Sequence, residues 1–260
     1  MKISVVTPSF NQAAFIERTI ESVLSQRGDF ELEHLVVDAG STDGTLDILR
    51  RHQGRLRWIS EKDRGQSDAI NKGFRMAAGD VLAWLNSDDT YEPGALDAVA
   101  RTLRDTGVRW CFGECRIVDE RDREVRRLIS RYKSWVSRRY SLRRLLGRNF
   151  IPQPATFFRR DLIEEAGPLD ESLHYAMDYD LWLRFARLAP PTFVPRPLAA
   201  FRWHGGSKTG GRYRTAAWEC FRIARDRARG GERLALAQHL AHYAAEVVVY
   251  RALDLLRPSR

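Results

Sequence analysis

Three short segments of this 260-residue chain place aspartates where a carboxylate is costly to keep without a partner. The first, Asn86-Ser87-Asp88-Asp89, directly follows the apolar run Val81-Leu82-Ala83-Trp84-Leu85. Adjacent ionised carboxylates at the end of a buried run repel each other unless a cation lies between or beside them. Hard oxygen ligands suit magnesium or manganese, which can bridge a carboxylate to a diphosphate and still keep some waters. The plainer use of the same residues is an Asp-rich turn in which Asp89 or Thr90 caps a following helix.

Asp38 closes a second hydrophobic run and opens Asp38-Ala39-Gly40-Ser41-Thr42-Asp43-Gly44-Thr45. Thr42 or Asp43 is suited to cap the next helix. Asp38 itself needs donors, and a base imide or ribose hydroxyls would supply them. The third segment, Met177-Asp178-Tyr179-Asp180-Leu181-Trp182, starts an amphipathic helix. One of its aspartates favours the positive helix end, which leaves the other to take a proton from a hydroxyl.

These segments need a scaffold that brings them together, and the hydrophobic periodicity supplies one. Strand-like runs at Ile3 to Thr7, Glu33 to Asp38, Leu56 to Ser60 and Val81 to Leu85 alternate with helical patterns at Phe15 to Leu24, Thr45 to Arg51, Ser67 to Ala78 and Pro93 to Leu103. That alternation predicts an α/β fold with a doubly wound, mostly parallel sheet. Ligands in such sheets bind beyond the carboxyl ends of the strands, where Thr7-Pro8-Ser9, Asp38-Ala39-Gly40 and Asn86-Ser87-Asp88 would converge. Val108 to Val118 is extended, Ala155 to Arg159 is a strand and Arg160 to Ala166 a helix. Phe193 to Trp203 is again strand-like, and helices broken near Gly230-Gly231 follow Tyr213. The stretch from Arg121 to Arg148, crowded with arginines and aromatics, gives no clear period. Trp84, Trp110 and Trp182 read as core, as do Cys111 and Cys115. His239 and His242 share a helix face that no cysteine or carboxylate cluster completes.

The motifs and their order resemble the family-2 inverting glycosyltransferases of GT-A fold. Ser4-Val5-Val6-Thr7-Pro8-Ser9-Phe10-Asn11 is similar to that family's opening strand, and Val36 to Thr45 to its second motif. Gly65-Gln66-Ser67-Asp68-Ala69-Ile70-Asn71-Lys72-Gly73 is similar to the helix after its third strand. The resemblance spans roughly residues 1 to 205. It implies a nucleotide-sugar-binding half over 1–107 and an acceptor-binding half over 108–211, with 212–260 left as a C-terminal helical extension. It further implies nucleoside contacts from Thr7, Ser9, Asp38 and Asp68, with Asp88 facing the ribose or donor sugar. Asp89 would hold Mn2+ or Mg2+, joined by His204, and Asp178 would be the catalytic base. Asn86 and Met177 stand where many members carry aspartate and glutamate. The loop Gly205-Gly206-Ser207-Lys208-Thr209-Gly210-Gly211 is read as a cover for the donor diphosphate, with Lys208 as its phosphate contact.

The bulk properties fit this reading. A net charge of +9 and a pI near 9.8 call for an anionic partner. Nucleotide-sugar phosphates, nucleic acid and an acidic membrane surface all qualify. A nucleic-acid binder would leave the three polar strand ends without a role, while a sugar-nucleotide-binding module that retains the pocket without transfer is the other alternative. A dinucleotide dehydrogenase is disfavoured, since Pro8, Phe10 and Asn11 stand where a glycine-rich pyrophosphate turn is required. Three cysteines and no apolar run of spanning length predict a cytoplasmic enzyme, attached at most peripherally to the inner face of the membrane. The expected acceptor is a saccharide or lipid-linked saccharide, with uridine the default base. The basic, aromatic stretch Arg131 to Arg148 is the expected contact with anionic lipid.

Overall fold

The computed structural model describes residues 1–205 and 213–255, with side chains over 1–205 and 214–244. Strands β1 (Lys2–Ser9), β2 (Glu31–Asp38), β3 (Arg57–Ser60) and β4 (Val81–Trp84) alternate with helices α1 (Ile16–Leu24), α2 (Thr45–Arg51) and α3 (Gln66–Met76). A two-residue strand β5 (Thr90–Tyr91) precedes α4 (Ala95–Leu103). The second half holds β6 (Trp110–Val118), α5 (Arg127–Ser137), α6 (Leu142–Gly147), β7 (Thr156–Arg159), α7 (Arg160–Ala166), α8 (Met177–Leu188) and β8 (Thr192–Arg202). Helices α9 (Tyr213–Arg227) and α10 (Arg233–Leu255) complete it, separated by the glycine break expected near residue 230.

All eight strands form one sheet in the order β3-β2-β1-β4-β7-β6-β8-β5. Strand β1 sits between β2 and β4, parallel to both, and β3 extends the parallel half. Its residues show why it is central: Val6 packs into one core cluster while Ile3 and Val5 pack into another, so helices must cover both faces. The parallel run is interrupted at β7, which is antiparallel to both β4 and β6. Parallel pairing returns between β6 and β8, and β5 closes the edge antiparallel to β8.

The expected tryptophan core is present. Trp182 stacks between Trp84 and Trp110 at centroid distances of 5.4 and 5.8 Å, joining α8 to the sheet. Cys111 is likewise buried, whereas Cys115 is half-buried at the edge of a large cleft. The stretch without a clear period contains α5 and α6. Leu145 and Leu146 of α6 enter the core, while α5 buries Ser137 and leaves Leu128, Tyr132 and Trp135 exposed. Most of its apolar residues stay exposed, although Val136 packs against the core.

Candidate active site

The C-terminal ends of β1, β2 and β4 open onto a cleft of about 1240 Å³. From the first half of the chain it is lined by Ser9, Phe10, Ala39, Asn86, Ser87 and Asp88. From the second half come Lys133, Asn149, Met177 and Asp178. The Ser9 hydroxyl is buried and has no hydrogen-bond partner, so this cleft residue carries an unused polar atom.

Asp88 presents its carboxylate to the cleft, with Oδ2 3.0 Å from Nε2 of His204. The His204 ring rests on Phe15 at a centroid distance of 4.7 Å. Strand β8 fixes this pair through Arg202, whose side chain is almost wholly buried. The Arg202 guanidinium donates to the Asp88 carbonyl at 2.8 Å, the Asp119 carbonyl at 2.9 Å and the Asp122 carboxylate at 2.6 Å. Its backbone N–H donates to Asp89 Oδ1 at 2.9 Å.

Asp89 therefore turns away from the cleft. It is fully buried, and its second oxygen lies 3.3 Å from the Asn86 amide. Burial, followed by the neighbouring Asp88 charge, pushes its carboxyl well above the usual range. The expectation that Asp89 reaches a cation is thus corrected: of the two adjacent aspartates, the one at the cleft is Asp88. Asn86 instead links the floor of the site, accepting from Gln66 at 2.8 Å and donating to Gln153 at 3.1 Å.

Three more predicted contact residues stand behind the cleft wall. The Thr7 hydroxyl is buried 2.9 Å from His34 Nε2. Asp38 is fully buried and accepts from the Gly40 and Ser41 amides at 3.0 and 2.9 Å, and from the Ser41 and Ser60 hydroxyls at 2.5 and 2.7 Å. The donors expected from a base imide or ribose come instead from its own loop and β3, so Asp38 braces the turn that holds Ala39 at the cleft. In Asp68 burial opposes ionisation, but hydrogen bonds from Arg64 and the charge of Lys72 prevail and hold its carboxyl near 2. Lys208 lies outside the described residues.

The two aspartates of α8 divide as the sequence left open. Asp180 is buried between Arg184 at 2.9 Å and Arg227 at 2.7 Å, tying α8 to α9. Asp178 lines the cleft, half-buried, and accepts from the Tyr179 amide at 2.7 Å and from the Asn149 side chain. Burial pushes its carboxyl up to about 6, against the opposing hydrogen bonds and the Lys133 charge. Glu219 of α9 accepts from the His174, Tyr175 and Ala176 amides at 3.0, 3.2 and 3.2 Å, fixing the turn from which α8 starts. Arg202, Asn149 and Glu219 went unnoticed in the sequence, because an isolated Arg, Asn or Glu carries no motif. His239 and His242 each donate through Nδ1, to the Leu146 carbonyl at 2.8 Å and the Gly147 carbonyl at 3.2 Å.

Among the described residues no cluster of three or more His, Cys, Asp or Glu side chains is arranged to enclose a metal. The Asp88–His204 pair does fit a cation that takes its remaining ligands from a diphosphate and water, since carboxylate oxygen and imidazole nitrogen both suit manganese.

Comparison with known proteins bears on the fold and the family. The Glycosyl transferase family 2 model matches residues 4–167. An uncharacterized glycosyltransferase of Mycobacterium tuberculosis (strain ATCC 25618 / H37Rv) is 32% identical over 205 residues, covering 76% of this chain and 74% of its own. Staphylococcus aureus TarS 1-349, solved in complex with UDP-GlcNAc, superposes with a TM-score of 0.70 at 20% identity, over 92% of this chain and 72% of that one. The mannosyltransferase PcManGT from Pyrobaculum calidifontis, in complex with GDP-Man and Mn2+, gives 0.69 at 20% identity, over 98% and 81%. The fold is of GT-A type, and with the family match spanning more than half its length, this chain belongs to glycosyl transferase family 2.

Proposed function

We propose that this protein is an inverting transferase that moves a sugar from a nucleoside-diphosphate sugar to an acceptor hydroxyl. The observation that carries the reading is that Asp88 and Asp178, from opposite halves of the chain, line one cleft. The nucleoside lies along the ends of β1 and β2, where the unpartnered Ser9 hydroxyl and the loop braced by Asp38 receive it. Residues 1–107 thus form the donor side and 108–211 the acceptor side. The ligands in the structural relatives, UDP-GlcNAc in one and GDP-Man with Mn2+ in the other, support a nucleotide-sugar donor and a divalent cation. Uridine remains our choice of base.

Asp88 and His204 would hold the cation. When bound, Mn2+ or Mg2+ neutralises charge on the departing nucleoside diphosphate. Asp178 takes the proton from the acceptor hydroxyl as that oxygen bonds to the anomeric carbon and the carbon–phosphate oxygen bond breaks on the opposite face. A carboxyl near 6 is ionised at neutral pH yet basic enough to accept that proton. Asn149 and the Tyr179 amide hold it in place. The product is a surface polysaccharide or glycolipid, built on a saccharide or lipid-linked saccharide.

The test is turnover of a panel of nucleoside-diphosphate sugars, with manganese and with chelator. Cation-dependent release of the nucleoside diphosphate, lost in Asp88→Asn and Asp178→Asn, supports the reading. Full, chelator-insensitive transfer by Asp88→Asn would end it.

A further inference from the structure

We propose that α5 docks the enzyme on an anionic bilayer, with the acceptor end of the cleft opening toward the lipid. Leu128, Tyr132 and Trp135, at helical spacing, are 79%, 45% and 55% exposed, giving α5 an outward apolar stripe. Apolar side chains grouped on one exposed helix face, with a charged rim, mark an interaction surface.

The charge around the stripe indicates that partner. From Val125 to Arg148 the sequence has nine Arg and Lys residues and no Asp or Glu, and with Arg127 paired to Glu124 and Arg138 to Glu114 the patch keeps an excess of positive charge that attracts anionic surfaces. Arg131, Arg139, Arg143 and Arg144 are exposed, and among the described residues no carboxylate lies within ion-pair distance of any of them. Arg139 lies over the Trp135 ring at 4.9 Å and Arg148 over the Tyr132 ring at 5.2 Å, setting cationic groups beside aromatic ones. Aromatic rings at the headgroup level, flanked by arginines, are what an interfacial helix requires. Among the described residues no helix is long and apolar enough to cross a membrane, so the contact is a surface one. The part of the stretch that enters lipid is α5, since Leu145 and Leu146 of α6 are core residues.

Leu128 and Tyr132 also line the cleft that holds Asp178. An acceptor whose apolar chain stays in the leaflet could therefore present its polar end to that carboxylate. This last step rests on the transferase reading, whereas bilayer docking does not, and vesicle binding is measured without turnover, so the two can fail separately.

The experiment is co-sedimentation of the full chain with phosphatidylcholine vesicles, with and without phosphatidylglycerol, over a range of salt. Binding is expected only with phosphatidylglycerol and is expected to weaken as salt rises. Each of Arg139→Gln, Arg143→Gln and Arg144→Gln should weaken it by about fivefold. Trp135→Ser should weaken it by about tenfold. All four side chains are exposed, so unchanged melting temperatures should accompany these losses. No association with phosphatidylglycerol vesicles overturns the proposal. So does binding indifferent to Trp135→Ser, which marks a site for soluble polyanions, and so does a concentration-dependent dimer that Trp135→Ser dissolves, which marks a contact between copies of this chain.

Discussion

The backbone N–H of Arg202 donates to Oδ1 of Asp89 at 2.9 Å, joining the end of β8 to the loop after β4 across 113 residues of sequence. That bond decides which of two adjacent aspartates is structural. Asp89→Ala leaves a buried N–H without an acceptor, which costs about 1–3 kcal/mol. A clear fall in melting temperature is expected, with Asp89→Asn, which keeps an acceptor oxygen, much closer to the parent protein. Equal stability of the alanine variant and the parent would show that the bond is unimportant.

Asp88 should behave in the opposite way. Its carboxylate faces the cleft and His204 rather than the core, so Asp88→Ala should leave the melting temperature nearly unchanged. It should abolish the manganese-dependent strengthening of nucleoside diphosphate binding, measured by calorimetry. His204→Ala, which removes the group beside Asp88, should weaken manganese by about 10- to 100-fold. Unaltered manganese affinity in both variants would place the cation elsewhere.

The strand–helix alternation and the polar strand ends were legible because each depends on local pattern: buried runs of Val, Ile and Leu, then a loop rich in Asp, Ser and Gly. What local pattern could not give was the direction of each side chain at a strand end. Asp88 and Asp89 are neighbours of the same type, and only the arrival of Arg202 from β8 turns one inward. Asp38 was expected to take its donors from a nucleoside, whereas its own loop and Ser60 of β3 provide them. Asp178 and Asp180 were likewise inseparable until α9 brought Arg227 to the second of them.

Gly73 gives a test of how α3 sits on the sheet. A Cβ at this position would stand 2.3 Å from Val6 Cγ1, on the central strand that leads to the cleft. Gly73→Ala must push the helix away from β1 or force Val6 off its rotamer, and such overpacking costs about 1–3 kcal/mol. The same variant combined with Val6→Ala should recover part of the loss. If Gly73→Ala is as stable as the parent, the close approach of α3 to β1 is wrong.

The last prediction concerns the pH dependence of transfer. Burial raises the Asp178 carboxyl to about 6, so in the free enzyme it is protonated, and unable to act as a base, at a pH where an ordinary aspartate is ionised. Transfer at limiting substrate should therefore rise with pH along a limb centred near 6, instead of near 4. The sign for stability is the reverse. Because the folded protein holds this proton more tightly than the unfolded chain, the stabilising contribution is present below the unfolded value near 4 and is lost as pH rises through 6. Asp178→Asn removes that loss, so at pH 7 it should melt no lower than the parent while transfer falls by about a hundred- to ten-thousand-fold. Donor affinity should change by no more than a few-fold, since the proposed function puts Asp178 on the acceptor side. Glu219→Ala, which frees the turn before α8, should lower turnover without moving the limb, because it displaces the base without altering its burial. A limb that stays near 4, or one that persists in Asp178→Asn, would assign the proton transfer to a different group.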